Sequence, residues 1–175
     1  MQALLVIDVQ NGLVDLAQCN DTLANIEQLI QRFQTQQKPV IFIQHFDDIQ
    51  ESVLHPANKG AQIIERYQPY IEHLVIKRTP SAFYQTNLQE LLASLSVDHV
   101  YITGFNTEFC CQFTAIAAYD RGFRTTFIED ATNTVNNADT YEMSGLDIRD
   151  FVGTVLHWAS VIEVVDVEEY LEMQS

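Results

Sequence analysis

Short apolar runs alternate with amphipathic stretches along the chain. β-Branched and aromatic residues dominate six of these runs and predict strands at residues 3–9, 40–44, 73–77, 100–103, 123–128 and 161–165. Apolar residues at helical spacing predict helices between them, at residues 21–37, 86–95, 107–122, 140–158 and 167–171. Strands that alternate with helices predict an α/β fold, here a three-layer α/β/α sandwich around a mostly parallel, Rossmann-like six-stranded sheet.

The predicted helix after the fourth strand carries the most informative residue, Cys110. Thr107 is a suitable N-cap for this helix and Gly122 a suitable stop. The apolar residues expected to face the core are Phe109, Phe113, Ile116 and Ala117. Cys110 falls in the first turn at the carboxyl end of a strand, where α/β sheets place ligands and the helix dipole lowers a thiol pKa. This position predicts a nucleophile, and the alternative is a small buried hydrophobic residue.

Three other stretches carry predictions about local structure. Residues 86–89 form a capping box ahead of a leucine-rich helix. In the helix at 140–158 the residues expected to face the core are Ile148, Val152, Val155, Leu156 and Ala159, and residues 131–138 are expected to form a polar loop. Residues 45–70 form a long connection with a helical fragment at 61–64, and such a connection often shapes a pocket.

Composition narrows the possible classes of function. The 175 residues are expected to form a single domain, residues 1–175, and the net charge of −15 argues against nucleic-acid and anionic-membrane partners. No apolar run approaches the roughly 20 residues of a membrane span. Three cysteines, two of them adjacent, make no disulfide framework, so a cytoplasmic location is expected. The expected partner is a small-molecule substrate.

Two further polar residues stand at the ends of apolar strands. Asp8 interrupts the run at 3–9, and burying a carboxylate is costly unless it is paired, caps a loop or has a function. Lys77 closes the strand at 73–77. In a doubly wound sheet whose order changes between the first and fourth strands, the carboxyl ends that carry Asp8, Lys77 and Cys110 meet at one crevice. We predict a catalytic triad there, in which Asp8 moves protons and Lys77 stabilises a thiolate.

Several sequence blocks resemble the isochorismatase-like cysteine hydrolases, a family that includes nicotinamidases and other small amidases. The matching blocks are Leu-Leu-Val-Ile-Asp-Val-Gln at 4–10, Val-Ile-Lys-Arg-Thr-Pro-Ser-Ala-Phe-Tyr at 75–84, Thr-Asn-Leu at 86–88, Ile-Thr-Gly-Phe-Asn-Thr-Glu-Phe-Cys at 102–110, Ala-Tyr-Asp-Arg-Gly-Phe at 118–123 and Glu-Asp-Ala at 129–131. They occur in the family's order and extend over most of the chain between residues 4 and 171, apart from 45–70.

The resemblance implies an Asp-Lys-Cys triad, which falls on Asp8, Lys77 and Cys110. It also implies a cis peptide bond between Phe105 and Asn106, and an oxyanion hole made by the backbone N–H groups of Asn106 and Cys110. Side chains expected to contact the substrate are Gln10, His45 and Phe83. A homodimer or a larger homo-oligomer is expected as well.

One part of the sequence departs from the family's metal-binding pattern. Nicotinamidases of the family bind a metal through an Asp-x-His pair after the second strand and a further His. Here the residues at that place read His45-Phe46-Asp47, with the two types reversed, and His55 is the further His in the connection. No metal or other cofactor is therefore predicted, and nicotinamide is not the expected substrate.

The cysteine favours cleavage of a small-molecule amide through a Cys110 thioester. Two alternatives remain open. One is isochorismatase-type hydrolysis of an enol ether, in which Asp8 is the acid and Cys110 is dispensable. The other is a non-catalytic binding protein with the same fold. No glycine-rich fingerprint follows the first strand, which argues against a dinucleotide site.

Overall fold

A computed structural model describes residues 1–173. Its six strands are β1 Gln2–Ile7, β2 Val40–His45, β3 His73–Lys77, β4 His99–Phe105, β5 Arg124–Asn133 and β6 Glu163–Val165. They form one sheet in the order β3-β2-β1-β4-β5-β6, and every neighbouring pair is parallel. The predicted α/β class is confirmed, and the sheet is wholly parallel.

Helices cover both faces of the sheet. They are α1 Asn11–Val14, α2 Asn20–Thr35, α3 Leu88–Ser94, α4 Gln112–Asp120, α5 Ile148–Trp158 and α6 Val167–Met173, with a π-helical turn at Thr107–Cys111 that continues into α4. The apolar residues of α3, α4 and α5 pack on one face, and those of α2 and α6 pack on the other. Within residues 1–173 no helix is both long and apolar enough to span a bilayer.

The strand order creates the crevice that the sequence predicts. β1 is central and pairs with β2 on one side and β4 on the other. Its residues 3–7 are fully buried, because helices cover both faces of a central parallel strand. The connections after β1 and β4 leave the sheet in opposite directions, so their carboxyl ends border one opening.

Gly104 allows β4 to lie close against β1. Its φ is +113°, and a Cβ at this position would collide with the carbonyl oxygen of Ile7. Only glycine tolerates both conditions. Gly104 therefore lies within β4, which ends at Phe105. The chain then leaves the sheet across a cis peptide bond between Phe105 and Asn106.

The prediction that an apolar stripe of the helix after β4 faces the core is wrong. Phe109, Phe113 and Ile116 are exposed, and Ala117 is only half-buried. The buried positions carry small side chains instead, namely those of Cys111, Thr114, Ala115 and Ala118. Small residues allow the helix backbone to approach the sheet closely, so size rather than hydrophobicity selects the inner face.

Strand β5 and helix α5 differ from their predicted bounds. Residues 131–133, expected in a loop, extend β5, and Thr132 and Asn133 pair with the end of β4. Helix α5 begins at Ile148 rather than residue 140, because Glu142 and Gly145 have positive φ values of 53° and 79° that interrupt a helix. Of the residues expected to face the core, Ile148, Val152 and Leu156 are buried, whereas Val155 and Ala159 are exposed.

Several local predictions are also corrected. Asn106, not Thr107, occupies the N-cap position of the turn after β4, and the Thr107 hydroxyl donates to Thr132 Oγ1 instead. The predicted capping box is wrong, because Asn87 and not Thr86 is the N-cap of α3, and Thr86 Oγ1 accepts from the Leu88 N–H, two residues on, rather than from the Gln89 N–H. The prediction of a helical fragment at 61–64 is wrong. Short 3-10 helices lie at Lys59–Ala61 and Glu65–Tyr70 instead, and Ala61 is the one residue of the predicted fragment that falls in either of them.

Candidate active site

Three strand ends bring an acid, an amine and a thiol together. Asp8 follows β1, Lys77 ends β3, and Cys110 lies in the turn after β4. Lys77 Nζ lies 2.7 Å from Asp8 Oδ2 and 3.1 Å from Cys110 Sγ. The side chains of Lys77 and Asp8 are 0% and 1% exposed. The structure therefore places the three predicted residues within contact distance at the carboxyl end of the sheet.

Asp8 has an unusual backbone conformation and an unpaired oxygen. Its φ is +51°, a left-handed conformation that aspartate tolerates better than most residues and that is enriched at functional sites. Its N–H donates to the carbonyl of Ile43, which anchors the turn to β2. Among residues 1–173 its Oδ1 has no hydrogen-bond partner, although it is buried. A buried acceptor in this state is costly, so it is available to receive a proton or an N–H group.

His45 is the fourth member of the cluster. It ends β2, where it is the register partner of Lys77 on β3. Its Nδ1 lies 2.8 Å from Lys77 Nζ. A lysine ammonium has three N–H donors and no acceptor, so Asp8, His45 and Cys110 account for all three. The sequence predicted His45 as a substrate contact but did not identify its bond with Lys77; only its place directly after the second apolar run is visible in the sequence.

Gln10 lies behind the site rather than in it. Its Nε2 donates to the carbonyl oxygens of His45 (2.9 Å) and Ala61 (2.7 Å), and its Oε1 accepts from the His45 N–H (2.9 Å). The side chain is fully buried. Both amide hydrogens are used on the backbone, so the expected contact of this amide group with a substrate is replaced by a structural contact with His45.

Phe83 and Asn106 differ in their relation to the site. Phe83 is buried, its ring stacks on Phe123 with 5.9 Å between centroids, and Arg121 covers it at 5.0 Å. These contacts place the ring in the core rather than against a substrate. Asn106 begins the turn that carries Cys110, and its side-chain Oδ1 accepts from the Val135 N–H. That bond ties the turn to the segment after β5.

The surroundings of Cys110 favour its neutral form. Burial and the Asp8 carboxylate raise the pKa of Cys110 to about 12, and the Lys77 ammonium only partly opposes them. The lowered thiol pKa expected from the helix dipole is therefore wrong. Burial lowers the pKa of Lys77, but the contacts with Asp8 and Cys110 outweigh it and raise that pKa overall. The site thus buries the Asp8–Lys77 ion pair beside the Cys110 sulfur.

Glu108 organises a polar network next to Cys110. Its Oε1 accepts from the Thr134 hydroxyl (2.9 Å), Asn136 Nδ2 (2.7 Å) and the Tyr141 hydroxyl (3.0 Å). A carboxylate oxygen that accepts several bonds holds its donors strongly. The segment after β5 is therefore fastened to the turn that carries Cys110.

The cluster resembles a metal site in its side chains but not in its arrangement. One ligand atom each from Asp8, His45 and Cys110 lies within 4.8 Å of the others. However, Lys77 Nζ is within hydrogen-bonding distance of all three, so a cation from the chain itself already occupies the shared position. This arrangement does not fit a metal. Asp47 and His55 lie outside the group and accept from the backbone N–H groups of Ile49 and Ala57.

Cys110 and His45 form the solvent-accessible side of the cluster. Those two side chains are half-buried, whereas Asp8 and Lys77 are fully covered. A cleft of about 1040 Å³ lies between the start of α2 and residues 133–149 and does not include the cluster. We place the chemistry at the cluster, because the cleft has no comparable set of reactive groups.

Comparison with known proteins agrees with this site. The family model for the isochorismatase domain matches residues 2–160. The chain is 35% identical over 136 residues to the uncharacterised isochorismatase family protein YrdC of Bacillus subtilis (strain 168), covering 75% of this chain and 73% of that protein. It is 33% identical over 148 residues to Nicotinamidase 3 of Arabidopsis thaliana, covering 77% of this chain and 74% of that protein.

The fold gives the same result. The crystal structure of a candidate isochorismatase from Burkholderia xenovorans LB400 superposes with a TM-score of 0.86 and 28% identity, over 98% of this chain and 86% of that one. Because sequence and fold both match over most of the chain, the protein belongs to the isochorismatase-like cysteine hydrolase family and is a hydrolase.

Proposed function

We propose that this hydrolase cleaves the C–N bond of a small amide through a thioester on Cys110, with Asp8 and Lys77 as the other members of the triad. The observation that carries the proposal is the contact of one buried ammonium, Lys77 Nζ, with both Asp8 Oδ2 and Cys110 Sγ. An amidase among the relatives, Nicotinamidase 3, supports the same class of reaction.

Acylation begins with a proton transfer. Asp8 takes the proton of the Cys110 thiol, and the thiolate attacks the amide carbonyl carbon while Lys77 stabilises the charge on sulfur. The backbone N–H groups of Asn106 and Cys110 hold the resulting oxyanion, and such a donor contributes about 3 kcal/mol. Protonated Asp8 then gives its proton to the departing nitrogen, the C–N bond breaks, and a thioester remains.

Hydrolysis of the thioester completes the cycle. Asp8, again a carboxylate, takes a proton from a water molecule whose oxygen attacks the thioester carbonyl. The C–S bond breaks, the acid product leaves, and the proton on Asp8 returns to the sulfur. Because burial and the Asp8 carboxylate raise the pKa of Cys110, the thiolate forms only as Asp8 takes its proton, and the Lys77 ammonium is the group that stabilises it.

Substrate panels test the reaction class. Small amides and enol ethers are assayed with wild type, Cys110→Ser and the control Cys19→Ser, whose sulfur lies near the Val14 carbonyl and outside the cluster. We expect amide turnover by wild type and the control, an acyl adduct on Cys110 by mass spectrometry, and no turnover by Cys110→Ser. Full turnover of an enol ether by Cys110→Ser would instead establish the ether reaction, and no turnover of either class would favour a binding protein.

A second copy of the chain is proposed to cover an exposed apolar face. The face, called here the α4–α5 face, consists of Phe109, Phe113, Ile116, Tyr119, Phe151, Val155 and Trp158. Phe113 is 50% exposed and Trp158 is 79% exposed. Exposed apolar side chains on helices that pack on the same face of the sheet are typical of interaction surfaces, and a second copy of the chain carries the same surface.

The mass of the protein in solution tests this assembly. We expect light scattering to give a dimer or larger species for wild type and a monomer for Phe113→Asp, because a charge in the middle of the α4–α5 face opposes its burial. Leu16→Asp introduces the same charge at an exposed apolar residue outside that face and is the matched control. A monomeric wild type would contradict the proposal.

A further inference from the structure

Lys77 contacts one residue outside the proposed triad, His45. The ammonium is fully buried and makes three contacts, of 2.7 Å to Asp8 Oδ2, 2.8 Å to His45 Nδ1 and 3.1 Å to Cys110 Sγ. A buried ammonium with an unused N–H is costly, so the third acceptor is required for the charge to persist. His45 supplies that acceptor.

The contact fixes the form of the imidazole. An ammonium has no lone pair, so Nδ1 of His45 must be the acceptor and the ring must be neutral with its hydrogen on Nε2. Burial and Lys77 lower the pKa of His45, which agrees with a neutral ring. The ionisable groups that face it are Asp8, Asp47, Lys77, Arg78 and Cys110.

Hydrogen bonds to its backbone and the pairing of β2 with β3 fix the position of His45. The Gln10 side chain bonds both the N–H and the carbonyl of His45, and it is itself held by the Ala61 carbonyl. On the other side, the register of β2 and β3 sets His45 opposite Lys77, and the Phe46 N–H donates to the Lys77 carbonyl. A residue fixed from both sides presents its ring in one place rather than adapting to a ligand.

We propose that His45 is a positioning residue of the active site, which accepts the third N–H of Lys77 and so keeps the ammonium charged and directed at Asp8 and Cys110. The inference deepens the proposed triad chemistry and rests on it for its catalytic meaning. Without the acceptor, Lys77 loses its charge more readily, and the thiolate of Cys110 loses its stabilising partner.

Two substitutions separate this role from simple packing. In His45→Asn, the amide Oδ1 stands the same number of bonds from the backbone as Nδ1 and can replace it as acceptor. In His45→Leu, a side chain of similar bulk has no acceptor. His73→Leu makes the same exchange at the opposite end of β3 and is the matched control.

The readout is the rate at which iodoacetamide alkylates Cys110 at a fixed, mildly alkaline pH, followed by mass spectrometry, which needs no substrate. We expect His45→Leu to slow alkylation about tenfold, as loss of a buried bond to a charged group does. We expect His45→Asn and His73→Leu to keep the wild-type rate. In the amide assay, His45→Leu is expected to lose kcat more than it raises KM.

The outcomes distinguish the proposals. An unchanged alkylation rate in His45→Leu, with folding confirmed by circular dichroism, overturns the role of His45. An equal loss of rate in His45→Asn and His45→Leu overturns it as well, because packing and not the acceptor would then matter. A loss confined to His45→Leu in a protein that turns over no amide supports the role of His45 and contradicts the proposed reaction.

Discussion

The two ends of the sheet each bury a polar cluster, and the two clusters are built differently. At the amino end, His99 Nε2 donates to Thr126 Oγ1 (2.8 Å), and that hydroxyl donates to Glu163 Oε2 (2.6 Å). The His99 ring stacks on Tyr101 with 4.3 Å between centroids. Among residues 1–173, none of these side chains has a buried polar atom without a partner. The amino-end cluster therefore stabilises the fold and leaves no group free to react.

The carboxyl-end cluster is left incomplete. Lys77 is saturated by three acceptors, but Asp8 Oδ1 is buried without a partner in the described part of the chain. Native proteins rarely tolerate such an atom, and those that remain call for a functional explanation. Among the described residues, Arg32 Nε, Glu108 Oε2 and Tyr170 Oη are also buried without a partner, so such an atom does not by itself mark a reactive site. The comparison teaches that an unpaired oxygen beside a buried ammonium and a thiol marks the end of the sheet where we place the chemistry.

The largest expected effect comes from replacing the Asp8 carboxylate with a neutral amide. We expect Asp8→Asn to lower amide turnover by about 10²–10⁴-fold, the usual contribution of a proton-transfer group. The same change removes a charge that raises the pKa of Cys110, so the thiol should react faster with iodoacetamide. Turnover and alkylation should therefore move in opposite directions, measured by steady-state kinetics and mass spectrometry. Parallel losses in both would show that Asp8 only supports the fold of the site.

The next effect concerns the stability of the ion pair. We expect Lys77→Met to lower the free energy of unfolding by about 3–5 kcal/mol, because Asp8 is left as a buried unpaired charge. The double variant Asp8→Asn/Lys77→Met removes that charge and should recover much of the loss in urea denaturation. If the double variant is no more stable than Lys77→Met, the ion pair does not account for the effect.

The smallest effect belongs to the amino end and depends on pH. Burial and the Arg124 guanidinium lower the pKa of His99 from 6.5 to about 4. Between pH 6.5 and pH 4 the protein therefore takes up a proton at His99 when it unfolds. The contribution of His99 to the free energy of unfolding is complete above pH 6.5 and falls by about 3 kcal/mol as the pH drops to 4. Denaturation across this range should show a shallower fall for His99→Gln. Equal slopes for wild type and variant would remove His99 as the cause.

Much of the fold follows from local patterns. The continuous apolar runs identify the strands because a parallel strand covered on both faces admits few polar residues, as in residues 3–7. Asp8 and Lys77 stand out because each interrupts or ends such a run. Helix α2 is likewise predictable, since its buried residues Leu23, Ile26, Ile30 and Phe33 follow helical spacing.

The errors share one cause. Phe109 and Phe113 look like core residues, yet the core side of their helix requires small side chains where it crosses the sheet. Residues 131–133 look like a loop, yet they extend β5, and Asp130 of the same strand caps α6 by accepting from the Val167 N–H. Polarity in one segment reflects the partners that another segment supplies, and those partners are distant in sequence.

The residue types at the site and the strands that carry them are written in the chain, because hydrophobic periodicity and turn chemistry act over a few residues. The strand order, which sets His45 beside Lys77 and brings both to Cys110, is decided by contacts between distant segments. So are the raised pKa of the thiol and the unpaired oxygen of Asp8, since both depend on burial and on neighbouring charges that exist only in the folded protein.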